Sequence, residues 1–141
     1  MTAMNPDEYR AFLQEGTRTL KLATTRDDGR PHVAPVWFLL DGDTIVFTTG
    51  AETVKGKALR RDGHVALCVD DERPPFAFVL IEGTAMISTD TAELRRWATR
   101  IAARYMGADQ AEEFGARNGA AGELLVRVAS THVVAQRDVA D

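Results

Sequence analysis

From Thr17 to Ser88 the chain is a succession of short β-patterned runs, each stopped by turn-forming residues, and one long helical pattern follows only later. The runs fall at Thr17–Thr25, His32–Leu40, Thr44–Thr49, His64–Asp70 and Phe76–Ser88, and a final stretch at Glu123–Gln136 reads as a strand pair or one bent strand. Asp27-Asp28-Gly29, Asp41-Gly42-Asp43 and Asp62-Gly63 carry turn chemistry, while Glu72-Arg73-Pro74-Pro75 suits neither ladder nor helix. Gly83 inside the fifth run predicts a bulge, and a sheet bent in this way can close on itself. Six or seven strands with one long helix between the fifth and the last indicate a mainly β (α+β) fold, an antiparallel barrel with peripheral helices.

The second run is nearly all apolar from Val33 to Leu40, as expected of a strand covered on both faces, with an edge or bulge at Pro35. Together with Thr17–Thr25 and Thr44–Thr49 it predicts a three-stranded meander. Asn5-Pro6-Asp7-Glu8 is an N-cap, a first-turn proline and an acid at the third position, so a short helix begins there, packs through Tyr9, Phe12 and Leu13, and stops at Gly16. Asp90 and Glu93 form a second capping signal. Leu94, Trp97, Ala98, Ile101 and Tyr105 then share one helical face, and Arg95, Arg96, Arg100 and Arg104 form a solvated one. Gly107 ends this helix, and residues 108–119 read as a short helix or loop.

The 141 residues suit a single domain, 1–141, and 45% hydrophobic with 27% charged residues is the balance of a soluble globular chain. A net charge of −4 argues against nucleic-acid binding, so any basic patch must be local. Cys68 is a lone cysteine in an apolar run, which gives neither an internal disulfide nor a zinc pattern. No signal peptide or membrane-length apolar run is evident, and a cytoplasmic protein is expected. His32, His64 and His132 are isolated in sequence, and no Ser/His/Asp, Cys/His or metal-ligand set emerges.

The stretch Phe47–Asp70 is the chemically suggestive one: strand, tight turn at Gly50, short basic helix, strand. Backbone N–H groups near Thr53 to Lys55 begin a helix without intrahelical partners, and with Lys55 and the helix dipole they suit an anion such as phosphate. A solvated basic surface helix explains the same residues. It is not a nucleotide P-loop, because five residues separate Gly50 from Gly56 and Ala58 stands where the Mg-binding hydroxyl is required. Trp37, Phe76 and Phe78 serve on pattern alone equally as core aromatics or as pocket walls.

Leu22-Ala23-Thr24-Thr25 with Asp28-Gly29-Arg30-Pro31, then Val36-Trp37-Phe38, Lys55 with Leu59-Arg60-Arg61-Asp62, the strand Val65-Ala66-Leu67-Cys68-Val69-Asp70, and Ile81-Glu82-Gly83-Thr84-Ala85 resemble, in order and spacing, the pyridoxamine-phosphate-oxidase-like superfamily. The likeness covers residues from about 18 to 136 and implies an FMN-binding split-barrel type of fold. The short chain and the Lys-x-x-x-Leu-Arg-Arg-Asp form further resemble its branch of reductases that use the deazaflavin coenzyme F-420. That resemblance implies a cofactor phosphate at Lys55 and Lys57, with Thr48, Thr49, Thr53 and Val54 along the phosphate and ribityl region and Val36, Trp37 and Phe38 beside the ring. It also implies a homodimer with cofactor sites at the subunit interface and Phe76 and Phe78 near a substrate pocket, from the same or the partner subunit.

The expected activity is hydride transfer to a small electron-poor acceptor. Oxidation of pyridoxamine phosphate is not expected, because the further basic residues and the C-terminal arginine-rich motif of those oxidases are missing. An FMN-dependent reductase or oxidase, and a non-catalytic binder of flavin, haem or a tetrapyrrole, are the alternatives.

Overall fold

The computed structural model describes residues 1–141, and its eight strands form one antiparallel sheet. The strands are β1 (Thr2–Ala3), β2 (Leu20–Thr25), β3 (Pro31–Val36), β4 (Leu39–Asp41), β5 (Thr44–Gly50), β6 (His64–Asp71), β7 (Ala77–Ser88) and β8 (Glu123–Arg137). The helices are α1 (Pro6–Gln14), α2 (Val54–Arg61), α3 (Thr91–Met106) and α4 (Ala111–Asn118), with a 3-10 turn at Ala108–Gln110. Strand order is β3-β2-β6-β7-β8-β5-β4, and β1 pairs with the end of β8.

The meander expected from His32–Leu40 does not form. That run divides: β3 pairs with β2 and β4 pairs with β5, so its two halves stand at opposite ends of the strand order. Trp37 and Phe38 alone join them, and three residue steps span at most about 11 Å. The two ends of the sheet are therefore drawn together with no ladder between them, which is what makes this a split barrel. As an edge strand β3 tolerates Pro35, and Val33, expected to be covered, is 67% exposed.

The final stretch is one strand of 15 residues rather than a pair. β8 pairs with β5 through Glu123–Val128 and with β7 through Leu125–Gln136. The register shifts at Glu82/Gly83, where His132 and Ser130 are the successive partners and Thr131 is the extra residue. A Cβ on Gly83 would lie 2.6 Å from the Ala129 carbonyl oxygen, so the close approach at this bend admits only glycine.

Both faces of β5 and of the Leu124–Val128 part of β8 are largely buried, which explains their apolar runs, whereas Ala129, Ser130, Thr131 and His132 of β8 are exposed. Ile45, Phe47, Leu124, Val126 and Val128 face the main core, and Val46 and Leu125 meet Leu94 and Trp97 of α3 on the other side. Each such side chain contributes about 1.5–3 kcal/mol on leaving water. The two capped helix starts form as the sequence indicates. Asn5 accepts from Glu8 N–H in a reciprocal box, and Asp90 accepts from Glu93 N–H. No helix is long and apolar enough to cross a membrane.

Candidate functional site

A cleft of about 510 Å³ opens beside the unpaired seam of the barrel, between the ends of β3 and β5 and the helices α3 and α4. Val36, Trp37, Thr48, Thr49 and Lys55, all expected near a cofactor, line it. Pro35 and Thr19 complete the seam side. Gly50 of β5, Ala98, Ile101 and Met106 of α3, Phe114, Arg117 and Asn118 of α4, and Glu123 of β8 form the rest.

One wall is made locally. β5 ends at Gly50, and Thr53 caps α2: its hydroxyl accepts from Gly56 N–H at 3.0 Å and donates to the Gly50 carbonyl at 2.8 Å. Because that single proton is used on Gly50, the 3.3 Å contact with Thr49 has the Thr49 hydroxyl as donor. Neither Val54 N–H nor Lys55 N–H is capped by a side chain, so the first turn keeps donor capacity and the positive end of the dipole. Lys55 is half-buried and makes no ion pair, whereas Lys57 and Arg60 both lean on Glu52, at 3.9 and 3.4 Å. This donor set fits an anion.

The opposite wall is tertiary. The Trp37 ring stacks on Tyr105 at 5.2 Å with planes 3° apart and meets Phe114 at 6.1 Å. Tyr105 is fixed through its hydroxyl, which donates to the Arg18 carbonyl at 2.7 Å and accepts from Phe38 N–H at 3.3 Å. Burial pushes the Tyr105 phenol up and the neighbouring Arg104 guanidinium down from their ordinary values. Arg104 donates to the carbonyls of Leu13, Gly16 and Phe38 at 2.8, 3.0 and 2.8 Å. An apolar and aromatic wall of this kind suits a planar ring.

Four expected cofactor residues and both expected substrate-pocket residues are not brought to the cleft. Phe38 is fully buried in the core, because alternation along Val36-Trp37-Phe38 turns it inward while Trp37 faces the opening. The Thr53 hydroxyl is consumed by the cap, and Val54 is 41% exposed outside the lining. Lys57 is two helix positions from Lys55, about 200° around the axis, and pairs with Glu52 instead. Phe76 and Phe78 border a separate depression of about 480 Å³ with Cys68, Leu80 and Val139, so within one chain they do not meet the cofactor residues. Phe76 also precedes β7 rather than opening it, with φ +66°.

Sequence reasoning missed Glu123 and the α4 residues. Phe114 and Asn118 stand four apart on a helix read only as helix or loop. Glu123 becomes notable only once β8 is paired, since it lies opposite Gly50. Its carboxyl is pushed up by burial, an effect that nearby Lys55 opposes.

The family model described as pyridoxamine 5'-phosphate oxidase matches residues 6–135. Conserved hypothetical protein Rv2991 from Mycobacterium tuberculosis is similar at 26% identity and a TM-score of 0.84, over 96% of this chain and 88% of that one. An F-420 reductase is similar at 26% identity and a TM-score of 0.69, over 86% of this chain and 93% of that one. A FAD-binding protein from Mesorhizobium loti shares the fold at 17% identity and a TM-score of 0.71, over 95% and 93% of the two chains. Among curated proteins, none matches.

Proposed function

The chain belongs to the pyridoxamine 5'-phosphate oxidase family, and from that premise we propose that it is a reductase using the deazaflavin coenzyme F-420 on a small electron-poor acceptor. The observation that carries this reading is Lys55, a half-buried lysine without an ion pair at the start of α2, facing a cleft that also gathers Val36, Trp37, Thr48 and Thr49. The 26% identity to an F-420 reductase supports it. FMN is the competing cofactor for the same cleft.

When bound, the reduced deazaflavin supplies a hydride. The chain's own residues bind, orient and exclude water. Lys55 and the first turn of α2 would hold the phosphate by charge-assisted hydrogen bonds. Thr48 and Thr49, on the same lining, would border the polyol chain, and Val36 and Trp37 would flank the ring. Ala98, Ile101 and Phe114 keep the opposite side apolar, which strengthens the electrostatic contacts inside and fixes the acceptor against the ring.

The test is direct titration of coenzyme F-420 and FMN, with reduced F-420 consumption followed against enones, quinones and biliverdin-like acceptors. Lys55→Ala is expected to weaken F-420 binding by roughly ten- to a hundredfold, the equivalent of about 1.5–3 kcal/mol. Arg95→Ala, outside the cleft and paired with Glu112 at 3.5 Å, serves as the control. Tighter binding of FMN would transfer the proposal to that cofactor.

The same reading includes a homodimer. The outer faces of β2, β3, β6, β7 and β8 meet in a mostly apolar depression of about 460 Å³ bordered by Ala23, Val33, Ala66, Leu80 and Val134. Val33 is 67% and Leu80 42% exposed, a surface of the kind a second copy covers. Phe76 and Phe78 then belong to the partner's cleft. Light scattering at micromolar concentration is expected to give twice the chain mass, and a monomer mass would remove the shared site.

A further inference from the structure

The cleft carries an acidic group for which binding an anion has no use. Glu123 lies opposite Gly50 in the β5–β8 ladder, and its carboxylate oxygens stand 3.9 and 4.0 Å from where a Gly50 Cβ would be. The Thr53 methyl lies 3.2 Å from the same point. The carboxylate therefore overhangs the turn that presents the start of α2, beside the place where Lys55 meets its ligand. It makes no hydrogen bond within the chain; burial pushes its carboxyl up and the charge of Lys55 opposes that. The other charged group on the lining is Arg117, on α4 across the cleft, with its guanidinium 5.7 Å from the Phe114 ring centre.

We propose that Glu123 sets the charge of the anion this cleft accepts, admitting a singly charged phosphodiester and disfavouring a doubly charged phosphomonoester. The inference rests on the reading of the cleft as a cofactor site. Around the turn, the charges of Lys55 and Glu123 offset each other and leave the helix start, equivalent to about half a positive charge. One negative charge on the ligand then leaves only about half a negative charge at the turn, with Arg117 across the cleft as the remaining cation. A phosphomonoester carries close to two negative charges at neutral pH, since its second pKa is about 6. Its second charge finds no further cation at the turn, since Arg117 stands across the cleft, and faces a carboxylate in a partly desolvated site, where like charges repel strongly. Selection of this kind works by penalising the wrong ligand, and it separates FMN, a phosphomonoester, from coenzyme F-420, whose phosphate is a diester.

The test uses three ligands with one ring and one polyol: riboflavin, the monomethyl ester of FMN and FMN, with phosphate charges of zero, one and about two. Each is titrated into the wild-type protein, Glu123→Gln and Glu123→Ala, with thermal melts confirming that the variants fold. The wild-type protein is expected to bind the methyl ester more tightly than FMN. Both variants are expected to gain about tenfold in FMN affinity, about threefold for the ester and nothing for riboflavin. Equal gains for FMN and its ester overturn the proposal. Weaker binding of all three also overturns it, by making Glu123 an acceptor for ligand hydroxyls, and so does an absence of binding to every protein. Failure of the deazaflavin reading looks different: the order of ester over FMN and its loss in the variants persist while coenzyme F-420 itself does not bind.

Discussion

The two walls of the cleft are built by opposite means. The α2 wall is assembled between Thr49 and Gly56, where Thr49, Gly50, Thr53 and Gly56 satisfy one another through hydrogen bonds that span three or four positions. The Trp37 wall depends on distant parts of the chain. Tyr105 reaches the Arg18 carbonyl 87 positions away, and Arg104 reaches those of Leu13 and Phe38 at 91 and 66. The anion-binding wall is thus a local motif and the ring-facing wall a product of folding. They should therefore fail differently when damaged.

The sharpest way to break the local wall is Gly56→Ala. A Cβ there would lie 2.0 Å from the Gly50 carbonyl oxygen and 3.1 Å from Ala51 backbone atoms, none of them on a flexible side chain. Alanine in a helix ordinarily gains about 1 kcal/mol over glycine. Overpacking against backbone should outweigh it and leave a net loss of about 3 kcal/mol, with α2 displaced from β5 and the anion site lost with it. Chemical denaturation and F-420 titration read the two effects, and wild-type values for both would show that α2 can simply step aside.

For the tertiary wall the matching change is Arg104→Ala. It removes charge-assisted bonds to three carbonyls and frees the segment that positions Phe38, so a loss of roughly 2–3 kcal/mol is expected. Trp37 stacks on the next residue of the helix, so in a Trp97→Phe background, where Trp37 is the sole tryptophan, its fluorescence should report the disturbance while the α2 cap is preserved. If denaturation shows less than about 1 kcal/mol, the Tyr105 hydroxyl alone is enough to hold this wall.

The same contrast explains what the sequence could convey. The α2 wall was readable because its signals are adjacent residues: a strand ending at glycine, a capping threonine, a lysine in the first turn. Helix starts at Asn5 and Asp90 were readable for the same reason. The break of His32–Leu40 into β3 and β4 was not, because an apolar octet is the same whether it continues in one ladder or crosses the seam; only its partners on β2 and β5 decide. Phe38 was misplaced because a three-residue motif does not say which side chains face inward. Glu123 was invisible as a site residue, since its position depends on a register with Gly50 more than seventy residues earlier.

The smallest effect expected, and the finest test of locality, is Thr53→Ala. Thr53 is exposed, so the substitution loses little burial, and the cost is that of the cap: Gly56 N–H loses its acceptor, and the Gly50 carbonyl and Thr49 hydroxyl lose a partner. N-cap replacements by alanine typically cost about 1 kcal/mol. Thr53→Ser keeps the hydroxyl and drops only the methyl that sits over Gly50, so it should recover most of that stability. Urea denaturation of the two variants, read alongside Trp37 fluorescence in the same Trp97→Phe background, separates the contributions. A stable serine variant with unchanged fluorescence in both proteins means the hydroxyl holds this wall and the disturbance stops there. Equal losses in serine and alanine would shift the role to the methyl contact, and altered Trp37 fluorescence would mean that the two walls are coupled through β5 after all.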